Sequence, residues 1–432
     1  MQLRQHDDSD VDMYESPDVD QSSDDEIIGA REVKLKNHRL PLTCVCLDSK
    51  NKFAFTASKD GSIIKWCLST KKILNKVNSI KKNEAKKSQK LAERNHVKHI
   101  NAIAISSDDK FLATGGWDRK VRIWSPTDLK WLHTFTLHRQ EITTLAFRRG
   151  HHTLYSGSAD KSVMLWTLED DDNRCFVDSL IGHEAPITSM DTSRRERVLT
   201  AGGLDQSIRI WKIVEGAQTV FQSKHGSADV SKFIDDKTFV SGGEDGSIIL
   251  WTTMKRSPLC NVTKAHGIDE KTKLNNWITS LATYQLKQGK KGSHEKPSKR
   301  MKLDDDVIAG GESNEDASDK EDKSDEDDDE EEQGEKIDEP HGPEIGQQAE
   351  ALVASGSCNS KLHIWKLIKN NLVLHKSIDC PGFINDLQFT SDGKKLIAAC
   401  GTEHRFGRWT VKKGTKNCLR IFELEEEQMS TD

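Results

Sequence analysis

The chain has 432 residues, 34% hydrophobic and 31% charged, with a net charge of −6. This is more ionic than a typical soluble domain at about 25% charged, so part of it is expected to lie outside any packed core. No stretch approaches the roughly 18 to 20 apolar residues of a membrane span, and the acidic start has no apolar signal core, which argues against membrane insertion and secretion. Nine cysteines without a CxxC pair suggest neither a disulfide framework nor a zinc site and fit a reducing compartment.

In chain order, residues 1–30 carry ten acids and one arginine, a net of −9, and are predicted to form a disordered acidic tail. The run REVKLK that follows reads as an edge strand. Residues 71–95 are a lysine-rich insertion with the character of an exposed, helical excursion. Residues 286–349 are predicted to be a disordered insertion, first basic (+6 over 286–303) and then acidic, with twenty acids against three lysines over 304–339. Residues 31–424 outside these insertions are left to fold, and CLRIFEL near their end reads as a second edge strand. The last eight residues, 425–432, form a short tail. With tracts of −9 and −17 set aside, the remainder of a −6 chain carries +20, so the folding part is basic.

A repeat runs through that part. An acid or its amide stands six residues before a tryptophan at Asp60/Trp66, Asp118/Trp124, Asp160/Trp166, Asp205/Trp211, Asp245/Trp251 and Asn359/Trp365, with a degenerate seventh at Glu403/Trp409. A histidine precedes the acid by 22 residues at His38, His96, His138 and His183, and by 20 at His225. Before each acid lies an apolar run ending in small residues (FAFTAS, FLATGG, VLTAGG), and after it an alternating run (KVRIW, SIRIW, SIILW). Both read as strands.

This pattern resembles the WD-repeat family, whose repeats of about 40 to 45 residues each supply a four-stranded propeller blade. The implied fold class is all-β: a seven-bladed WD-repeat β-propeller with a disordered acidic N-terminus and a long charged insertion in blade six. Either terminal edge strand could complete the last blade. In the family a His, a Ser or Thr four residues before the Asp, the Asp and the Trp form a hydrogen-bonded tetrad. The resemblance assigns the hydroxyl to Thr56, Thr114, Ser156, Ser241 and Ser355, while Ala201 leaves the fourth repeat without one. Recurrence in every repeat makes these residues structural rather than a catalytic Ser-His-Asp set, which is recognised by geometry and should occur once. The absence of GxxxxGK[ST], HExxH, GxSxG or a helix-opening GxGxxG disfavours an enzyme and suggests no cofactor, metal or small-molecule substrate.

Function must then be read from the surface. Lys81, Lys82, Lys86 and Lys87 in the first insertion, Arg148 and Arg149 in FRRGHH, and Arg405 and Arg408 in EHRFGRW are candidate RNA phosphate contacts. Trp117, immediately before Asp118, sits where WD propellers face the rim of the central channel and is a candidate partner hot spot. PSKRMKLD, with Lys299, Arg300 and Lys302, is similar to a nuclear-import signal. Ser22, Ser23, Ser318 and Ser324 lie in acidic surroundings of the kind acid-directed kinases use.

Segments beyond the generic repeat, including FRRGHHTLYSGSADKSVMLW, TAGGLDQSIRIWKI and GFINDLQFTSDGKKLIAACGTEHRFGRW, together resemble the U3 small nucleolar RNA-interacting protein 2 family. The resemblance implies a non-catalytic scaffold in the nucleus and nucleolus. It would bind the box B/C region of U3 RNA with a small kink-turn-binding protein, act with other snoRNP and processome proteins, and serve pre-rRNA processing toward 18S rRNA. An RNA-independent interaction propeller, such as a ubiquitin-ligase substrate receptor or a chromatin reader, is the competing class. A tRNA methyltransferase accessory subunit is a third.

Overall fold

Each apolar run, small-residue turn and alternating run forms antiparallel strands in sequence, with a more polar strand on the outside. In blade one these are Leu42–Leu47, Phe53–Ser58, Ile63–Cys67 and Ile73–Val77. Burial follows position: the innermost strand is wholly buried, and the outermost alternates half-buried with exposed. The computed structural model describes residues 32–169, 174–224, 226–270, 272–286, 350–407 and 410–424. The segments 1–30 and 425–432, almost all of 286–349 including Lys299, Arg300 and Lys302, and the residues His225, Arg408 and Trp409 lie outside them.

The described strands form seven four-stranded sheets, six of them with consecutive strands in order. The seventh is discontinuous. Its three inner strands are Phe383–Phe389, Lys395–Gly401 and Cys418–Glu423, and Glu32–Leu35 adds the fourth, in antiparallel register Val33↔Ile421. The N-terminal run is therefore the edge strand, and CLRIFEL lies inside the sheet. Glu32 accepts a hydrogen bond from Arg420 Nη1 at 2.7 Å, fixing this register with a charge pair.

Seven apolar clusters occupy the seven spaces between neighbouring blades. The cluster that closes the ring joins Val45, Ile64 and Trp66 of blade one to Ile397, Leu419 and Ile421 of blade seven. Each sheet thus buries both faces, and losing one blade would expose two cores. A second, polar seam runs around the channel. The innermost strand of five blades bulges at Thr43, Asn101, Thr143, Thr279 and Asn385. A bulge re-aims the side chain, and each of these reaches a carbonyl of the next blade: Thr43 to Ile100 (2.7 Å), Asn101 to Ile142 (3.1 Å), Thr279 to Ile384 (2.6 Å) and Asn385 to Leu42 (2.6 Å) among them. In blade five the corresponding residue is an acid, Asp229, whose amide bonds Gly242 O as that of Thr188 bonds Ala201 O.

The first insertion differs from expectation at its start. Ile73–Val77 is the outer strand of blade one, so the excursion begins after it and consists of two short helices, α1 (Lys82–Lys87) and α2 (Gln89–Arg94).

Candidate nucleic-acid interface

The tetrads build the end of the propeller where the second and third strands of each blade turn. In blade one Trp66 Nε1 donates to Thr56 Oγ1 at 2.8 Å, and the same hydroxyl lies 2.8 Å from His38 Nε2. Blade two repeats this with Trp124, whose Nε1 donates to Thr114 Oγ1 at 2.8 Å, and with His96 Nε2, 2.8 Å from that hydroxyl. Trp124 is only 2% exposed and packs in the apolar cluster between blades one and two, beside Phe55 and Leu112. It is therefore closed to any partner and acts as a core residue alone, unlike Trp117 seven places before it. Blade three has Trp166, Ser156 and His138, whose Nδ1 lies 2.9 Å from Asp160. Burial alone would raise the carboxyls of Asp60, Asp160 and Asp205. Hydrogen bonds from the partner histidines and from Ser62, Ser162 and Ser207 outweigh it and hold them well below the usual carboxylate range.

Two blades depart from the sequence reading. Blade four does have its hydroxyl: Thr200 Oγ1 accepts a hydrogen bond from Trp211 Nε1 at 2.8 Å and lies 2.7 Å from His183 Nε2. Its turn carries one residue more, so the hydroxyl stands five rather than four places before Asp205. The extra glycine is obligatory, because a Cβ on Gly202 would fall 2.3 Å from Asp205 and from His183. In blade six the missing histidine is His266, 2.8 Å from Ser355 Oγ, and Ser355 accepts from Trp365 at 2.9 Å. The long insertion separates His266 from Asn359 in sequence, which hides the repeat spacing. Blade five pairs Trp251 with Ser241 at 2.8 Å.

Blade two carries an addition to its tetrad. Arg122, fully buried, bonds Asp118 (2.6 Å) and His96 Nδ1 (2.8 Å) with one amino group. Its other nitrogens donate to Glu93 O and Ala92 O, both at 2.9 Å. Those carbonyls end α2, where a cation also meets the negative end of the helix. Lys120 Nζ adds a bond to Ala92 O and Thr134 one to Glu93 O, and Arg94 lies 5.3 Å from the Trp131 ring centre. The lysine-rich excursion is therefore docked on blade two, with Lys81, Lys86, Lys87 and Lys90 exposed. Lys82 is the first residue of α1.

Trp117 lies beside this docked end. Its cleft, about 430 Å³, is bordered by Val97 and Lys98, by the Trp117–Arg119 turn, and by Arg139, Gln140 and Glu141. It opens between blades two and three, whereas the central channel is lined by residues of the innermost strands such as Ala102, Thr144 and Asp386. The residues that border the cleft lead into the innermost strands Ile100–Ile105 and Ile142–Phe147.

Two arginine candidates are engaged elsewhere. Arg405 crosses the channel mouth, donating from Nη2 to Thr188 O of blade four at 3.0 Å. Asp386 and Asp229 are its charge partners there. Arg148 pairs with Glu196. That pair belongs to a ring of latches at the opposite end, where Ser49 N donates to Asp109 (2.9 Å), His152 meets Asp108 (2.8 Å) and Arg194 N donates to Asp236 (3.2 Å). Both arginines join neighbouring or opposed blades instead of offering a free fork. Arg149 is exposed beside Arg148.

Comparison with known proteins agrees with this geometry. The "WD domain, G-beta repeat" family model matches residues 29–67, 88–125, 129–167, 174–212 and 218–252. The human U3 small nucleolar RNA-interacting protein 2 is 33% identical over 394 residues, covering 90% of this chain and 68% of the human protein. Among solved structures, one described as the structure of U3-55K superposes with a TM-score of 0.71 at 31% identity, over 91% of this chain and 99% of that one. The crystal structure of the RRP9 WD40 repeats gives the same score at 32% identity, over 92% and 98%. With seven WD-type blades and this identity across nearly its whole length, the chain belongs to the U3 small nucleolar RNA-interacting protein 2 family of WD40-repeat propellers.

Proposed function

We propose that the chain is a non-catalytic U3 snoRNA-binding scaffold of the U3 snoRNP, acting in the nucleolus in pre-rRNA processing toward 18S rRNA. The observation that carries this is the 33% identity to a U3 small nucleolar RNA-interacting protein over 90% of the chain. A basic folded part supports it, since cation–phosphate contacts supply most sequence-independent affinity for RNA.

In this reading the docked helices present Lys81, Lys86 and Lys87 to phosphate, Lys82 is a further phosphate candidate of the same segment, and Arg149 adds a cation at the other end of blade three. Arg408 keeps its place among the candidates, whereas Arg148 and Arg405 are structural. The target is the box B/C region of U3 RNA with its small kink-turn-binding protein, recognised by shape because a double-stranded stem displays little readable sequence. Lys299, Arg300 and Lys302 act as the import signal.

Crosslinking and immunoprecipitation of the tagged protein, followed by sequencing of the attached RNA, tests the proposal. U3 RNA should be enriched, with crosslinked peptides from residues 78–98. Recovery of tRNA instead, or of no RNA, would overturn it.

A further inference from the structure

We propose that the Trp117 cleft seats one unstacked nucleotide of single-stranded RNA, its base on the indole and its phosphates on Lys98, Arg119 and Arg139. The inference rests on the RNA-binding reading above and adds a site to it. Trp117 is 39% exposed although it sits in a tight turn, and the His99 ring centre lies 4.8 Å from its own. An indole supported in this way offers a flat surface to a base, and such stacking tolerates any sequence. The cleft volume of about 430 Å³ falls in the range that encloses small ligands and suits a single nucleotide.

Lys98, Arg119 and Arg139 are exposed, and among the described residues none of them forms an ion pair. Arg119 Nη1 donates to Arg139 O at 3.4 Å, which draws one guanidinium toward the loop that carries the other. Arg119 also holds its charge at a conformational cost. The residue after the tetrad acid or amide is left-handed in blades one to six: glycine in blades one and five (Gly61, φ 74°; Gly246, φ 71°), and Arg119 (φ 64°), Lys161, Gln206 and Ser360 in blades two, three, four and six. An L-residue in that region is strained relative to the right-handed form.

Continuity with the docked helices favours RNA over other anions. Val97 and Lys98 border the cleft at the end of the basic excursion, and Lys120, next to Arg119, bonds the end of α2. A strand neutralised along the lysines of that excursion would reach the cleft without leaving positive surface. Gln140 and Glu141 provide hydrogen-bonding groups for a base edge. An acidic peptide would leave the indole face unused, whereas a base stacks on it.

The test uses the full chain, a fluorescein-labelled single-stranded RNA octamer of mixed sequence and a U3 transcript, with affinity read by anisotropy across a salt series. Trp117→Ala should weaken octamer binding about tenfold or more, and Trp117→Phe, which keeps a stacking face, should weaken it much less. Arg119→Gly should reduce affinity and lower the log–log salt slope by about one. Its thermal midpoint should not fall below that of the parent, because the substitution relaxes the backbone; it therefore decides the matter even if Trp117→Ala fails to fold. Parent-like RNA binding by Trp117→Ala and Arg119→Gly would overturn the cleft and leave the RNA-binding reading intact. Failure of the parent protein to bind either RNA would overturn both. With a fluorescein-labelled polyglutamate peptide as a further probe, loss of its binding in Trp117→Ala and Arg119→Gly with RNA affinity unchanged would overturn the nucleotide assignment in favour of a peptide.

Discussion

At the channel mouth Arg405 stands among carboxylates that burial makes reluctant to ionise. Burial raises Asp386, and burial together with the nearby Glu244 raises Asp229 to about 6, against the opposing effect of the Ser227 hydroxyl, which donates to it at 2.7 Å. Removing the guanidinium would leave the part-buried Thr188 carbonyl without its donor and take a countercharge from Asp229, while Asp386 keeps Lys232, so Arg405→Ala is expected to destabilise the fold by about 1–3 kcal/mol, measured by urea denaturation. Asp229 itself should produce a pH dependence of definite sign. Between about pH 4, where the unfolded carboxyl titrates, and about 6, the folded state keeps a proton that the unfolded chain has released. Stability therefore falls as pH rises through that window. Asp229→Asn should remove this slope, leaving the variant more stable than the parent at pH 7 and equal to it below pH 4; equal melting curves at both would refute it. The sequence showed Arg405 as a cation in a degenerate repeat and nothing more, because its partner Thr188 lies 217 residues away and only ring closure brings it near. Thr200 was hidden by a smaller event, one added residue in a turn that shifts the hydroxyl by a single place.

Blades two and four show how a single strand pattern serves two purposes. KVRIW and SIRIW place an arginine at the same register, yet Arg209 bonds Gln218 on its own outer strand at 2.9 Å, whereas Arg122 holds the carbonyl end of an inserted helix. The strands themselves were legible because alternation is local. The docking was not, since it depends on which segment fills the space over the blade. Neither helix exceeds six residues, a length with no independent stability in water, so tertiary anchoring must supply the order. Arg122→Met is expected to leave the blades folded at a cost of about 3 kcal/mol. It should accelerate amide exchange across residues 82–98 by at least tenfold, and slower binding of the U3 transcript should accompany it. Unchanged exchange there would mean that Lys120 and Thr134 suffice to hold the helices.

For the whole molecule, closure depends on four residues. Glu32–Leu35 covers the free edge of the last sheet and brings Leu35 into the cluster shared by blades seven and one. A chain beginning after Leu35 should expose the Cys418–Glu423 edge, lower the thermal midpoint by several degrees and associate through that edge; a monomer melting like the parent would refute this. The seven-fold repeat and the insertions were readable from spacing and charge, while the partner of this edge was not, because both termini have strand character and only the register distinguishes them. The root of the second insertion has a consequence of its own. Chain leaves blade six at Leu286 and returns at Glu350, and these two residues are joined by a backbone hydrogen bond of 3.1 Å directly beyond the pair Gln285↔Ala351. The junction is therefore zipped whatever lies between, and loop closure adds only about 0.6 kcal/mol for each doubling of its length. Blade six is in effect a socket: a fluorescent reporter or an affinity module grafted between these residues should be carried by the propeller without altering the cleft or the channel at the other end of the strands.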